Sequence, residues 1–119
     1  MKHKYLPELG TICAGFAVSA AMLFAPLAYA GSASGKVISF LVITDPVVNV
    51  LIFGIGPITS TPGCNTNQQF AVDLSTPGGR SIKDQLLLAR AMDLTVTVTG
   101  TATCTVWTDR ESALIVYLN

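Results

Sequence analysis

Residues 68–100 read QQFAVDLSTPGGRSIKDQLLLARAMDLTVTVTG and decide the fold. Apolar and polar residues alternate over Gln68–Leu74 and again over Leu94–Gly100, which is typical of strands with one buried face. The segment Ser75–Gly79 breaks the first strand, because proline and glycine favour turns. Between the strands, apolar residues recur with the spacing of a helix. The sequence therefore predicts the order strand, helix, strand.

The helix is predicted over Ile82–Met92. Ser81, followed three residues later by Asp84, is a variant of the capping box that starts helices. The stripe expected to face the core consists of Ile82, Leu86 and Ala89, widened by Leu87 and Leu88.

An apolar hairpin is predicted before this unit. The run KVISFLVIT, Lys36–Thr44, is rich in β-branched residues and predicts a central strand covered on both faces. The Asp-Pro pair that follows supplies a turn, and Val47–Phe53 is the second strand. The small residues of Gly31–Gly35 are interpreted as a leader that is mobile at its start.

The remaining segments complete the order of elements. Residues 54–67 are a loop, residues 100–106 continue in extended form, residues 107–111 form a polar corner, and Ala113–Leu118 is the last strand. The order strand, strand, strand, helix, strand, strand predicts a mainly β fold with one helix. This is the order of an OB-fold, a five-stranded Greek-key barrel. The main competing fold is an antiparallel α+β sandwich.

Residues 1–30 have the pattern of a signal peptide. Basic residues precede the apolar run Ile12–Leu27, which is followed by the Ala-Tyr-Ala pattern that signal peptidase reads. We expect cleavage before Gly31, which leaves residues 31–119 as one OB-fold-like domain, secreted or periplasmic, with no stable membrane span. The competing interpretation is a transmembrane anchor, because the apolar stretch is about long enough to cross a bilayer.

The expected compartment predicts the oxidation state of the cysteines. Cys13 lies in the signal peptide and has no expected role in the mature protein. Export places the rest of the chain in an oxidising environment, so the remaining pair, Cys64 and Cys104, is predicted to form a disulfide. A redox-active pair is the alternative, but it needs the close spacing of Cys-x-x-Cys.

Composition narrows the classes of function. Beyond residue 30 the chain has no His, which excludes Ser-His-Asp and Cys-His catalysis and His-based metal sites. The same part has five basic and six acidic residues, which excludes the basic footprint of a nucleic-acid-binding domain. We therefore expect a non-enzymatic protein with no catalytic residue, no cofactor, no metal and no nucleic-acid partner.

The polar corner carries three candidate ligand-binding residues. Asp109 and Glu111 could form a carboxylate pair for acid-base work. The competing interpretation is that Glu111 pairs with Arg80 or Lys83, or accepts hydrogen bonds from backbone N–H groups at the corner. Trp107 could stack on a sugar ring or plug the barrel end beside the disulfide, and the sequence leaves both open.

Residues 70–118 resemble a group of small exported bacterial proteins of OB-fold type. The motifs that carry the resemblance are Phe70, Thr76-Pro77-Gly78-Gly79-Arg80, Val96-Thr97-Val98-Thr99-Gly100, Cys104, and Asp109 with Glu111. The group is distantly similar to the B subunit of subtilase cytotoxin and related toxins. Those OB-fold domains form rings of five and bind cell-surface glycans, so the resemblance implies a glycan ligand.

Ser34 is a fourth candidate ligand-binding residue. The segment Ser34-Gly35-Lys36-Val37 looks like the Ser-Gly-Val-Val of that B subunit, where the serine contacts sialic acid. This resemblance implies a glycan contact for Ser34, whereas an ordinary strand entry is the competing interpretation.

Three functional hypotheses follow. The first is a non-enzymatic exported binding module whose small ligand is a glycan. The second is a structural or envelope-associated protein that forms homo-oligomers through the apolar hairpin Val37–Phe53. The third, a hydrolase that uses Asp109 and Glu111, has the least support.

Overall fold

The computed structural model describes residues 28–119, so most of the predicted signal peptide, with Cys13, lies outside the described residues. Among the residues described, no helix is long and apolar enough to cross a membrane. The elements are β1 Ser32–Gly35, β2 Ser39–Thr44, β3 Asn49–Gly54, β4 Phe70–Asp73, α1 Pro77–Ala91, β5 Val96–Gly100 and β6 Glu111–Leu118.

The six strands form one curled sheet in the order β1-β5-β6-β4-β3-β2. Neighbouring strands are antiparallel, except that β4 and β6 run parallel. β1 and β2 lie at opposite edges of the sheet although only residues 36–38 separate them in the chain. The sheet must therefore curl back on itself. The predicted fold class is confirmed: the domain is mainly β, barrel-like, with one helix, and resembles an OB-fold.

Two predictions about the start of the domain are wrong. The segment interpreted as a mobile leader forms β1, in which Ala33 points into the core and Ser34 pairs with Thr97 of β5. The run expected to be a central strand contains β2, which is an edge strand with 55% of Leu41 exposed. The cause is a change of partner within one stretch of chain: β1 pairs with β5, whereas β2 pairs with β3. The predicted hairpin of β2 and β3 is confirmed.

The helix begins five residues earlier than predicted. Thr76, not Ser81, is the N-cap, and its hydroxyl oxygen accepts a hydrogen bond from the backbone nitrogen of Gly79 at 3.0 Å. Pro77 is favourable in the first helical turn, because the missing N–H has no helical partner there. Gly79 is required for space, since a Cβ would collide with the carbonyl oxygen of Asp73.

The apolar stripe of the helix is narrower than predicted. Leu86 and Ala89 are fully buried and Ile82 packs beside them against the core. Leu87 and Leu88, expected to widen the stripe, are 45% and 48% exposed.

The core has two parts, one on each face of β3 and β4. The larger part contains the stacked rings of Phe53 and Phe70, whose centroids are 5.8 Å apart, together with the buried residues of β5 and α1. The smaller part, on the opposite face, is built around Val50, Ile52 and Ala71. β3 and β4 are therefore buried on both faces.

The predicted disulfide is confirmed. Cys64 and Cys104 are bonded, with a Cα–Cα distance of 6.2 Å and a sequence separation of 40 residues. The bond joins the loop before β4 to the loop between β5 and β6. Closing a loop of this length lowers the conformational entropy of the unfolded chain. In the chain-entropy treatment this stabilises the folded state by roughly 4 kcal/mol.

Candidate functional site

The outer surface of β1, β5 and β6 carries a row of hydroxyl groups. In the strand register, Ser34 lies opposite Thr97, and Thr97 lies opposite Tyr117. Residues directly opposite each other in antiparallel strands project from the same face of a sheet. The next row places Ser32 opposite Thr99. We call this surface the hydroxyl face; it consists of Ser32, Ser34, Thr97, Thr99, Ile115 and Tyr117.

The alternation of β5 explains why these hydroxyls face outward. Val96 and Val98 are completely buried in the core, so Thr97 and Thr99 must point to the other face. In β1, Ala33 is buried in the core, so the next residue, Ser34, points outward. The hydroxyl face is therefore fixed by the packing of the barrel interior.

Hydrogen bonds order the polar groups of this face. The Oγ of Ser34 lies 2.9 Å from Oγ1 of Thr97, and Nδ2 of Asn119 donates to the same Thr97 oxygen at 2.9 Å. Beside them Tyr117 is 53% exposed. A hydroxyl can donate and accept, and an aromatic ring offers a flat apolar surface. Together these groups can exchange hydrogen bonds with a polar ligand and offer it a flat apolar surface.

The hydroxyl face itself carries no ionisable group other than the phenol of Tyr117. The nearest charged residues in sequence are Lys36, just after β1, and Asp93, before β5, and these two form an ion pair with each other. The face is therefore suited to uncharged polar groups of a ligand.

Trp107 lies in a different part of the molecule. Its ring is partly buried and packs, with Val106, against the smaller core part of Val50, Ile52 and Ala71. Trp107 therefore packs against the face of β3 and β4 that lies opposite the larger core part. In the sheet order, three strand steps separate β1, which carries Ser34, from β4, which Trp107 covers. The structure does not bring Trp107 and Ser34 together.

Asp109 holds two loops together at the surface. Its carboxylate accepts a hydrogen bond from Nδ2 of Asn67 at 2.8 Å and pairs with the guanidinium of Arg110. Its carbonyl oxygen accepts from the backbone nitrogen of Thr66 at 3.3 Å. These contacts tie the disulfide loop to the polar corner.

Glu111 is completely buried at the start of β6. Its Oε1 accepts hydrogen bonds from the backbone nitrogens of Gly31 and Ala102, at 2.9 and 2.8 Å. Of the alternatives for this residue, the backbone contact is confirmed. The pairing with Arg80 or Lys83 is wrong, because Arg80 donates to backbone carbonyls of residues 74 and 75 and Lys83 lies beside Asp84.

The two carboxylates of the corner therefore have separate environments. Glu111 is enclosed, whereas Asp109 is at the surface, and no hydrogen-bond partner is common to both. Within residues 28–119, no group of three or more His, Cys, Asp or Glu side chains is placed to hold a metal ion.

Two clefts lie along the β2–β3 hairpin. One, of about 560 Å³, is lined by Ile38, Ser39, Gly54, Gly56, Pro57 and residues 67–69. The other, of about 700 Å³, lies at the hairpin turn and includes Asp73 and Ser75. Hydrogen bonds from the hydroxyl and backbone N–H of Ser75 lower the pKa of Asp73 below its ordinary value.

Comparison with known proteins identifies no relative: no protein-family model, no curated protein and no solved structure matches the chain. The resemblance to the toxin B subunit therefore stays a prediction.

Sequence analysis found Ser34 but missed Thr97 and Tyr117 as its neighbours. The alternation of threonine and valine in β5 indicates that Thr97 faces outward. The position of Tyr117 depends on the pairing of β6 with β5, which contains a register shift at Thr99 and Gly100. No local sequence pattern indicates that register shift.

Proposed function

We propose that this protein is an exported, non-enzymatic binding module and that its hydroxyl face binds a glycan. The observation that carries the proposal is the row formed by Ser34, Thr97 and Tyr117, in which two hydrogen-bonded hydroxyls lie beside an exposed aromatic ring. The resemblance of the Ser34 segment to the toxin B subunit supports the same ligand class.

The chemistry of the face favours sugar hydroxyls and sugar ring faces as the recognised groups. Sugars present C–H-rich faces that stack on aromatic rings and hydroxyls that exchange hydrogen bonds. The charged side chains nearest to the row in sequence, Lys36 and Asp93, form an ion pair with each other. We therefore expect the site to bind glycans through their neutral portions. Glu111 is not one of the proposed glycan-contacting residues, because its side chain is buried.

Export is part of the proposal. The signal-peptide pattern of residues 1–30 and the disulfide both fit an oxidising compartment outside the cytoplasm. We place the protein in the periplasm or the extracellular medium.

A glycan array tests the proposal with a chain that begins at Gly31 and has its disulfide formed. The variants are Ser34→Ala and Tyr117→Ala. The matched control is Leu87→Ala, which shortens a side chain of similar exposure on α1. We expect the parent to bind a set of glycans, Tyr117→Ala to lose at least about tenfold in affinity, about 1.4 kcal/mol, and the control to bind within about twofold.

Two results would contradict the proposal. The first is an array without signal for a folded parent. The second is binding that survives both hydroxyl-face substitutions but disappears in Trp107→Ala with an unchanged melting temperature, which would move the site to Trp107.

A second candidate function is self-association through β2, and a separate observation favours it. In the described part of the chain, β2 is an edge strand with no partner strand on its outer side, and 55% of Leu41 and 42% of Val42 are exposed. Apolar edge strands are templates for pairing with another chain. A second copy of this protein would extend the sheet through β2, as a structural or envelope-associated oligomer requires.

Sedimentation of the parent and of Val42→Lys tests this candidate. We expect an oligomer for the parent at micromolar concentration and a monomer for the variant, because a charged side chain on an edge strand opposes pairing. A monomeric parent would exclude the candidate.

A further inference from the structure

The carboxylate of Glu111 is the most deeply enclosed charged group of the described chain. The side chain has no solvent exposure, and its Oε1 accepts two backbone hydrogen bonds, from Gly31 and Ala102. Its second oxygen, Oε2, is buried and has no hydrogen-bond partner among residues 28–119. A buried carboxylate that is neither paired with a cation nor fully hydrogen-bonded is unfavourable.

The charged side chains of the described chain do not supply the missing partner. Over residues 28–119 the ion pairs are Lys36 with Asp93, Lys83 with Asp84, and Arg110 with Asp109. None of them includes Glu111.

Two glycines shape the space around this carboxylate. A Cβ on Gly31 would collide with Oε2 and lie 2.7 Å from the Cγ2 of Ile58, and a Cβ on Gly100 would collide with Oε1. The two glycines are also joined to each other, since the backbone nitrogen of Gly100 donates to the carbonyl oxygen of Gly31 at 2.8 Å. The unpartnered Oε2 therefore lies directly against Gly31, the expected first residue of the mature chain.

We propose that Glu111 is a buried binding site for the new N-terminus of the mature protein. Signal peptidase adds water across the Ala30–Gly31 amide bond, so that Ala30 keeps the carboxylate and Gly31 becomes a primary amine. That amine takes up a proton at neutral pH and becomes an ammonium group. The cleavage thus creates a positive charge at the nitrogen atom that already bonds to Glu111.

The new ammonium group can donate a hydrogen bond to the second oxygen of Glu111. The amide of Gly31 in the uncleaved chain has one N–H and no charge, and it uses that N–H for Oε1. The ammonium has three N–H donors: one keeps the bond to Oε1 and a second satisfies Oε2. The chain is therefore more stable after cleavage than before it, and only glycine at position 31 leaves room for the contact. This inference rests on the predicted cleavage and is independent of the glycan ligand.

A comparison of four proteins tests the inference. One chain begins at Gly31 and a second begins at Ala30, so both carry the same total charge but only the first places its ammonium at Glu111. Each is also made with Glu111→Gln. In urea unfolding at neutral pH we expect the ratio of folded to unfolded protein to be at least about tenfold higher for the Gly31 start, and this advantage to shrink below about twofold in Glu111→Gln.

The reactivity of the α-amine is a second measurement that does not need the Glu111→Gln chain to fold. An amine-reactive ester should label the α-amine of the Gly31 start at least about tenfold more slowly than that of the Ala30 start, because a buried ammonium in an ion pair is protected. Equal stabilities of the two starts, an equal difference in Glu111→Gln, or equal labelling rates would each overturn the inference.

Discussion

The backbone nitrogen of Gly31 donates a 2.9 Å hydrogen bond to the carboxylate of Glu111, a residue 80 positions later in the chain. The contact links the segment that leads into β1 with the first residue of β6, although β5 lies between these strands in the sheet. Gly100 of β5 completes the enclosure, because its missing side chain leaves the space that the carboxylate fills. A charged group thus lies at the junction of three strands.

Substitution of Gly100 tests how tightly the Glu111 carboxylate is enclosed. In Gly100→Ala the added Cβ would collide with Oε1 of Glu111, so the strand or the carboxylate must shift. We expect a loss of about 1–3 kcal/mol in the free energy of unfolding, measured by urea denaturation.

Gly78→Ala is the matched control for this substitution. Gly78 lies in the first turn of α1, and an added Cβ would meet no atom of the described chain within 4 Å outside its own helical turn. We expect this change to stabilise the protein by about 0.5–1 kcal/mol, because alanine restricts the unfolded chain and favours helix. Equal effects of the two substitutions would contradict the enclosure of Glu111.

The observed start of the helix can be distinguished from the predicted one by two alanine substitutions. Thr76→Ala removes the hydroxyl that caps α1, and we expect a loss of about 1 kcal/mol. Ser81→Ala removes the residue that the sequence pattern predicted as the cap. Its hydroxyl bonds to the carbonyl of Pro77, one turn earlier, and not to a backbone N–H of the helix start, so we expect an effect below about 0.5 kcal/mol. Thermal or urea unfolding that reversed this ranking would instead support a helix that begins at Ile82 with Ser81 as its N-cap.

Removal of the disulfide should cost a large part of the stability of so small a domain. We expect the double variant Cys64→Ser, Cys104→Ser to lose about 4 kcal/mol in the free energy of unfolding, because the bond closes a loop of 40 residues. Mass spectrometry of a chain that begins at Gly31 should find no free thiol. Two free thiols, or a variant as stable as the parent, would contradict the assignment.

The pH dependence of Asp73 follows from its contacts with Ser75. The Ser75 hydroxyl and backbone N–H donate to Oδ1 of Asp73 at 2.6 and 2.8 Å and lower the pKa of Asp73 in the folded state. The resulting stabilisation is present above the unfolded-state pKa and is lost as the pH falls through the lower folded-state pKa.

In an NMR titration of the side-chain carboxyl carbon, Ser75→Ala should raise the pKa of Asp73 towards its ordinary value, because the hydroxyl donor is removed. Ser81→Ala removes a hydroxyl that bonds to the carbonyl of Pro77 and is not among the causes of the Asp73 shift, so it should leave this pKa unchanged and serves as the control. An unchanged Asp73 titration in Ser75→Ala would contradict the assigned cause.

The central elements were predictable because their side chains alternate. Val96 and Val98 of β5 and Phe70 and Val72 of β4 are all buried, as their spacing indicates. The prediction that β4 has only one buried face is wrong, because Ala71 is fully buried on the other face against the smaller core part. The helix start was missed because Pro77, Gly78 and Gly79 are typical of a break in the chain. In this fold the same residues suit a first helical turn packed directly against the end of β4.

The candidate site was predictable only in part, because it depends on pairing between distant strands. Ser34 was identified from a local resemblance, but nothing local shows that Ser34 lies in one row with Tyr117, since β1 and β6 meet only through β5. The small residues of β1 indicate no strand by themselves. β1 forms a strand because β5 supplies its hydrogen-bonding partner.

The most direct test of the proposed function is a map of backbone amide NMR shifts in the mature protein. The added probe is a mixture of neutral and sialylated cell-surface oligosaccharides at millimolar concentration. We predict that the largest shifts occur on the hydroxyl face, at Ser34, Thr97 and Tyr117, with little change around Trp107. Shifts centred on Trp107, or no shift with any oligosaccharide, would contradict the assignment of a glycan site to this face.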